Sequence, residues 1–316
     1  MWKKIWSVSI NEFRALFKEK TFILLLIIFI LMTIFSTYIG WSTKNTIEKV
    51  YQETVIKLKE SGVSEIPLDT FLIAPVLSIL KNMIVYIFLI GSLLAIIIGH
   101  SSFMRDRIAG ISKIVFSRTI SRKEFIIGKI IGIFNVLALI ISVSFIISYV
   151  SIILVTGHPF SGNEIVKLLI FYVISLAYLI IFAILGLFFA ISSRSESLAL
   201  VIPIIIWIVI SFVLPQLTSA LNPSTLLNPV SIQQAAPHSR FFTVIQEVIK
   251  PFSLSENYKE LGSNLLGVGS VDKNTMQILI DNSAGILLML ASMGFLIYGS
   301  IFSMKKFDVC EEEIDE

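Results

Sequence analysis

The chain has 316 residues, 55% of them hydrophobic and only 15% charged, with 24 Phe and a formal net charge of +3. A soluble domain carries about a quarter charged residues, so this composition, with a mean hydropathy of +0.88, excludes one. The single cysteine, Cys310, rules out a disulfide within the chain, and His100, His158 and His238 lie too far apart to share a metal ion.

In chain order, residues 1–20 predict an interfacial helix. Trp2, Ile5, Trp6, Ile10, Phe13, Leu16 and Phe17 share one helical face, while Lys3, Lys4, Asn11, Arg14 and Lys18 lie mostly on the other. That pattern puts tryptophans at headgroup depth and lysines toward anionic lipid. The charged region is too long for a secretory signal, and no small-residue cleavage site follows it, so the segment is expected to be retained.

A hydrocarbon core of about 30 Å needs about 20 apolar helical residues. Six stretches meet that length: 22–39, 82–99, 125–155, 165–191, 198–217 and 276–302. The expected fold is therefore an all-α integral membrane domain of six spans. Between the first two, the 41–74 loop starts with a polar helical pattern over 45–60 and breaks at Gly62 and Pro67. The 100–124 loop carries six Lys/Arg, and the first 20 residues carry five. The 157–164 connection carries none before Lys167, and the 218–275 loop carries four basic residues in 58 positions. Basic residues mark cytoplasmic segments, so both termini and the 100–124 loop are expected inside, with 41–74 and 218–275 outside. The last of these reads as short helices and turns packed on the outer face.

Catalytic motifs are absent. Gly128-Lys129 is the only Gly-Lys pair; Ile130 follows it and Lys123 stands where a P-loop needs its first glycine, which excludes nucleotide hydrolysis. Asn135 and Asp281 are the polar residues that stand out in the spans. Pro203 and Pro215 both fall in the fifth span, where proline removes a backbone donor and bends the helix; with Asn228 and Pro229 they form a candidate gate.

Six spans, inward termini, no ATPase and a patterned basic loop after the second span together resemble the permease subunit of an ABC-2 (type V) transporter. Within that group the chain looks most like the multi-copper-enzyme-maturation, nitrous-oxide-reductase accessory permeases. The likeness is carried by Arg105-Asp106-Arg107 with Gly110, then Ser117, Ser121-Arg122 and Gly128-Lys129, with Thr119-Ile120 where the family has a proline. It implies a coupling helix in the 101–122 loop that docks on an ATPase subunit. Arg105, Asp106, Arg107, Gly110, Lys113, Arg118 and Arg122 would be its coupling residues, with Ile108, Ile111 and Val115 as the apolar anchor. The implied assembly has two P-loop ATPase subunits, which hold ATP and Mg, and a second permease copy. It sits in the cytoplasmic membrane of a prokaryote, transports outward, and involves membrane lipid but no nucleic acid and no cofactor on this chain. Two other classes fit the same residues: an ion-coupled secondary transporter dependent on Asp281, and a mechanotransmitter or scaffold for an extracytoplasmic maturation partner.

Overall fold

The computed structural model describes residues 2–61, 75–110, 120–157, 160–215, 250–268 and 274–306, together with Val115 and Val248. Among these the chain is helical throughout, with no strand. Helix α1 (Trp2–Lys18) meets α2 (Lys20–Glu60) at Glu19, whose extended backbone turns the chain from one axis to the next. The second span is composite: a 3₁₀ turn (Val76–Leu80), α3 (Lys81–Tyr86), a π turn (Ile87–Gly91) and α4 (Ser92–Ile108). Then come α5 (Arg122–Thr156), α6 (Gly162–Ser192), and α7 (Glu196–Ile208) continued by a second π turn (Val209–Val213). A 3₁₀ turn (Lys250–Phe252) leads into α8 (Leu254–Leu265), followed by α9 (Thr275–Asp281) and α10 (Ser283–Lys306).

Among the described residues, six of these helical runs are long and apolar enough to cross a membrane. Local signals set their ends. Ser121 and Ser161 each form a capping box with the glutamate three residues on, Glu124 and Glu164, so the exposed donors of α5 and α6 are satisfied reciprocally. Gly157, at φ 69°, closes α5 in the left-handed conformation that glycine adopts without strain. The polar pattern at 45–60 is a continuation of the first span's helix, not a separate element. Asp281, which falls within the expected sixth span of 276–302, is the exposed last residue of α9, because the helix breaks at Asn282 before α10 starts.

The fourth span, α6, sits at the centre, with 67% of its most apolar stretch buried, against 22% for the fifth span and 17% for the sixth. It packs chiefly on α4. The two backbones come so close that a Cβ on Gly99 would overlap the Ala183 carbonyl, and one on Gly186 would overlap the Ile96 carbonyl. Small residues let membrane helices reach this contact, where dispersion replaces the missing hydrophobic drive.

Helix α8, from the 218–275 segment, is inserted among the spans. Tyr258 is fully buried and stacks on Tyr178 with ring centroids 4.4 Å apart. Its hydroxyl donates to Ser175 Oγ at 2.9 Å, since Ser175 already donates to the Phe171 carbonyl. Both π turns carry a polar tie. Trp207 Nε1 donates to Ser92 Oγ at 2.7 Å, just past the first, and Ser255 Oγ donates to the Ile210 carbonyl in the second at 2.8 Å. Of the expected gate residues, Pro203 is buried within α7 and Pro215 lies two residues past the second π turn. Asn228 and Pro229 lie outside the described residues.

Candidate functional site at the basic end of the bundle

One end of the bundle holds a cluster of buried and half-buried charges. It is assembled from α1, the last turn of α4 and the first turns of α5. Gly128 and Gly132 lie one turn apart on α5 and open a groove for α1. A Cβ on Gly128 would stand 2.6 Å from Val8 Cβ, and one on Gly132 would stand 2.6 Å from Glu12 Cβ. The stripe that α1 buries there is Ile5, Ser9, Glu12 and Leu16, a single helical face.

Between the two glycines, Lys129 is fully buried. Its Nζ lies 2.8 Å from Glu12 Oε2 and 2.7 Å from Asp106 Oδ2, and donates to the Ser102 carbonyl at 2.5 Å. All three donors of the ammonium are therefore used, as a buried charge requires. Arg105 adds a second cation: Nη2 is 2.8 Å from Glu12 Oε1, Nη1 bonds Glu19, and Nε is 3.6 Å from Asp106 Oδ1. Burial by itself would raise the Glu12 carboxyl, but Lys129 and then Arg105 outweigh it and hold Glu12 below the ordinary carboxylate range.

The remaining arginines tie helix ends. Arg107 donates to the Ser193 carbonyl at 2.6 Å and the Arg194 carbonyl at 3.0 Å, which fastens the end of the second span to the turn between the fourth and fifth. Arg122 donates to the Lys305 carbonyl at 2.7 Å, joining the start of the third span to the end of the sixth. Cations at helix C-termini satisfy carbonyls that lack an intrahelical partner.

The expected coupling residues thus separate. Arg105 and Asp106 meet in the buried cluster, Arg107 and Arg122 reach backbone carbonyls of this chain, and Lys113 and Arg118 lie outside the described residues. Ile108 is 57% exposed, whereas Val115 packs against the chain's own core; Ile111 is outside the described residues. Gly110 follows the end of α4 at φ 61°, with nothing within 4 Å of where a Cβ would stand. Its requirement is conformational, so Gly110→Ala is expected to lower stability by about 1–2 kcal/mol through the left-handed backbone alone. A matched Ala109→Gly variant, measured in the same unfolding experiment, separates that effect from general loosening of the turn.

Glu12, Glu19 and Lys129 were not among the residues expected from the sequence. The available signal was the Gly-x-x-x-Gly spacing of Gly128 and Gly132, a helix-packing pattern, together with a glutamate set seven residues after Ile5 on the same helical face. The cluster contains no nucleophile positioned beside a base, and among the described residues no group of three or more His, Cys, Asp or Glu could hold a metal ion. Its ion pairs and glycine contacts hold α1, α4 and α5 together, and the bonds of Arg107 and Arg122 tie in the ends of α6 and α10.

Residues 6–308 match the family described as ABC-2 family transporter protein. The chain belongs to the ABC-2 transporter family. No curated protein matches it. As an ABC-2 permease it is a multi-pass membrane protein that does not hydrolyse ATP. Hydrolysis belongs to a separate ATPase subunit of the kind with which ABC-2 permeases generally pair. No cofactor is expected on this permease chain.

Proposed function

We propose that this ABC-2 permease takes up ATPase motion through its 101–122 loop and passes it to the spans through the charged junction. The observation that carries the reading is the anchoring of both ends of that loop. Arg105 and Asp106 hold the leading end to α1 and α5, Arg107 holds it to the turn after α6, and Arg122 holds the trailing end to α10. A push on the loop is therefore delivered to several spans together. In this reading both termini and the loop face the cytoplasm of a prokaryotic cell, and export is the direction of transport. Two ATPase subunits and a second permease copy complete the assembly. The low burial of the fifth and sixth spans supports pairing with another membrane-embedded chain. The likeness to the copper-enzyme-maturation permeases rests on Arg105 to Arg107, Gly110, Ser117, Ser121-Arg122 and Gly128-Lys129 alone.

The test uses Lys113 and Arg118, because replacing Arg105, Arg107 or Arg122 would also remove the bonds each makes within this chain. The tagged protein, purified in mild detergent from its native host, is expected to bring down a stoichiometric P-loop ATPase. Lys113→Glu with Arg118→Glu is expected to lose the ATPase while the permease keeps its melting temperature. Retention of the ATPase by the double variant would overturn the placement of coupling in this loop.

A further inference from the structure

At the end of the bundle opposite the charged junction, a cavity of about 260 Å³ opens between α2, the 3₁₀ turn of the second span and the start of α6. Trp41, Lys44, Asn45 and Glu48 line it from α2, and Phe160 and Glu164 line it from the other side. The α2 residues are spaced i, i+3, i+4, i+7, so they form one helical face. Gly40 explains where the cavity begins. At that position α2 lies backbone to backbone against Ile79, with no room for a Cβ; from Trp41 onward side chains resume and the elements diverge.

One side of the cavity is held in place. Phe160 stacks on Tyr149 with centroids 5.2 Å apart. Glu164 is held by its capping box, accepting from Ser161 N at 2.8 Å and Ser161 Oγ at 2.9 Å, both at Oε2. Lys44, Asn45 and Glu48 are only half-exposed, yet make no hydrogen bond or ion pair among the described residues. Trp41 pairs with Tyr38 at 6.1 Å, and both rings are exposed. Trp and Tyr in that setting mark the membrane–water interface, so the cavity stands at headgroup depth.

Its charge selects the ligand. One ammonium, from Lys44, faces two carboxylates, Glu48 and Glu164, giving the lining a net charge of −1. A purely anionic headgroup is repelled. A phosphate beside a primary ammonium is matched: Lys44 and the Asn45 amide take the phosphate, the carboxylates take the ammonium, and the aromatic faces of Trp41 and Phe160 favour the cation. We propose that this cavity binds the headgroup of a zwitterionic phospholipid with a primary ammonium, drawn from the leaflet opposite the basic end. That leaflet is the outer one in the orientation proposed above. Binding needs neither the 101–122 loop nor an ATPase, so it stands or falls separately from the coupling reading.

The experiment is native mass spectrometry of the full-length chain in mild detergent, titrated with phosphatidylethanolamine or phosphatidylglycerol of identical acyl chains. Phosphatidylethanolamine is expected to be retained preferentially. Lys44→Gln and Glu48→Gln are each expected to weaken that retention about tenfold, the effect of one charge-assisted hydrogen bond, with unchanged melting of the lipid-free protein. The Lys113→Glu/Arg118→Glu variant is expected to retain the lipid as wild type does. Equal retention of the two lipids, or wild-type binding by both glutamine variants, would overturn the site. Displacement of the lipid by micromolar phosphoethanolamine would instead assign the cavity to a soluble ligand and overturn the lipid source.

Discussion

Replacing Lys129 with methionine is expected to destabilise the protein by about 3–5 kcal/mol, the usual result of stripping one partner from a buried ion pair. Methionine fills the volume but leaves Glu12 and Asp106 without the ammonium that sits 2.8 and 2.7 Å from them. Arg105 still reaches Glu12 at 2.8 Å, which places the loss toward the lower end of that range. Adding Glu12→Gln and Asp106→Asn to the same chain is expected to restore much of the stability, because no buried charge is then orphaned. Melting in detergent checks both, and a Lys129→Met protein that melts with wild type would show the cluster to be structurally idle. The same ions fix the response to acid. Glu12 is held below its ordinary value of 4.5, so its contribution is full above that pH and is lost as the pH falls through the depressed value.

The second large effect is expected at the crossing of the second and fourth spans. Gly99→Leu introduces a side chain where even a Cβ overlaps the Ala183 carbonyl, and the neighbouring atom is backbone that cannot rotate away. Separation of α4 from α6 is the only relief, and the expected loss is about 3 kcal/mol, the upper end for overpacking. Gly186→Ala, which meets the Ile96 carbonyl, is expected to follow in the same direction. Gly294→Ala on α10 is the control. It has nothing within 4 Å of its added Cβ, so helix propensity alone is expected to leave it neutral or slightly more stable. Equal melting of the Gly99 and Gly294 variants would refute the close crossing.

Hydropathic length is a local property, which is why six spans could be read directly from the sequence, as could the basic loop between the second and third. The junction was less legible because its contacts are distant in sequence: Glu12 and Lys129 stand 117 residues apart. Gly128-Lys129 was visible, but as a family-like pair. Its structural meaning depends on Gly132, one turn further, and on the helix seated in the groove. Helix α1 shows the same limit. Its apolar residues read as one lipid-facing surface, yet they divide between two environments. Trp2, Trp6 and Phe17 stay exposed, while Ile5 and Leu16 turn inward with Ser9 and Glu12 against α5. Hydrophobicity alone does not say whether a face meets lipid or protein. The arginines illustrate the converse. A positive charge near a membrane surface indicates which side it is on, but not that Arg107 and Arg122 end on backbone carbonyls of neighbouring helices.

The 41 residues of α2 make an unbroken helix of about 60 Å at 1.5 Å per residue, twice the thickness of a hydrocarbon core. Its base is tied through Glu19 to Arg105 and hence to the charged junction; its far half extends past the hydrocarbon core, through the headgroup layer where the Trp41–Glu48 face lies. The geometry is that of a lever with its fulcrum inside the membrane. A tilt of about ten degrees at the fulcrum sweeps the tip through about 5 Å over about 30 Å of exposed rod. A small change of tilt within the bundle would therefore move the tip of α2 much further than the packed residues at its base.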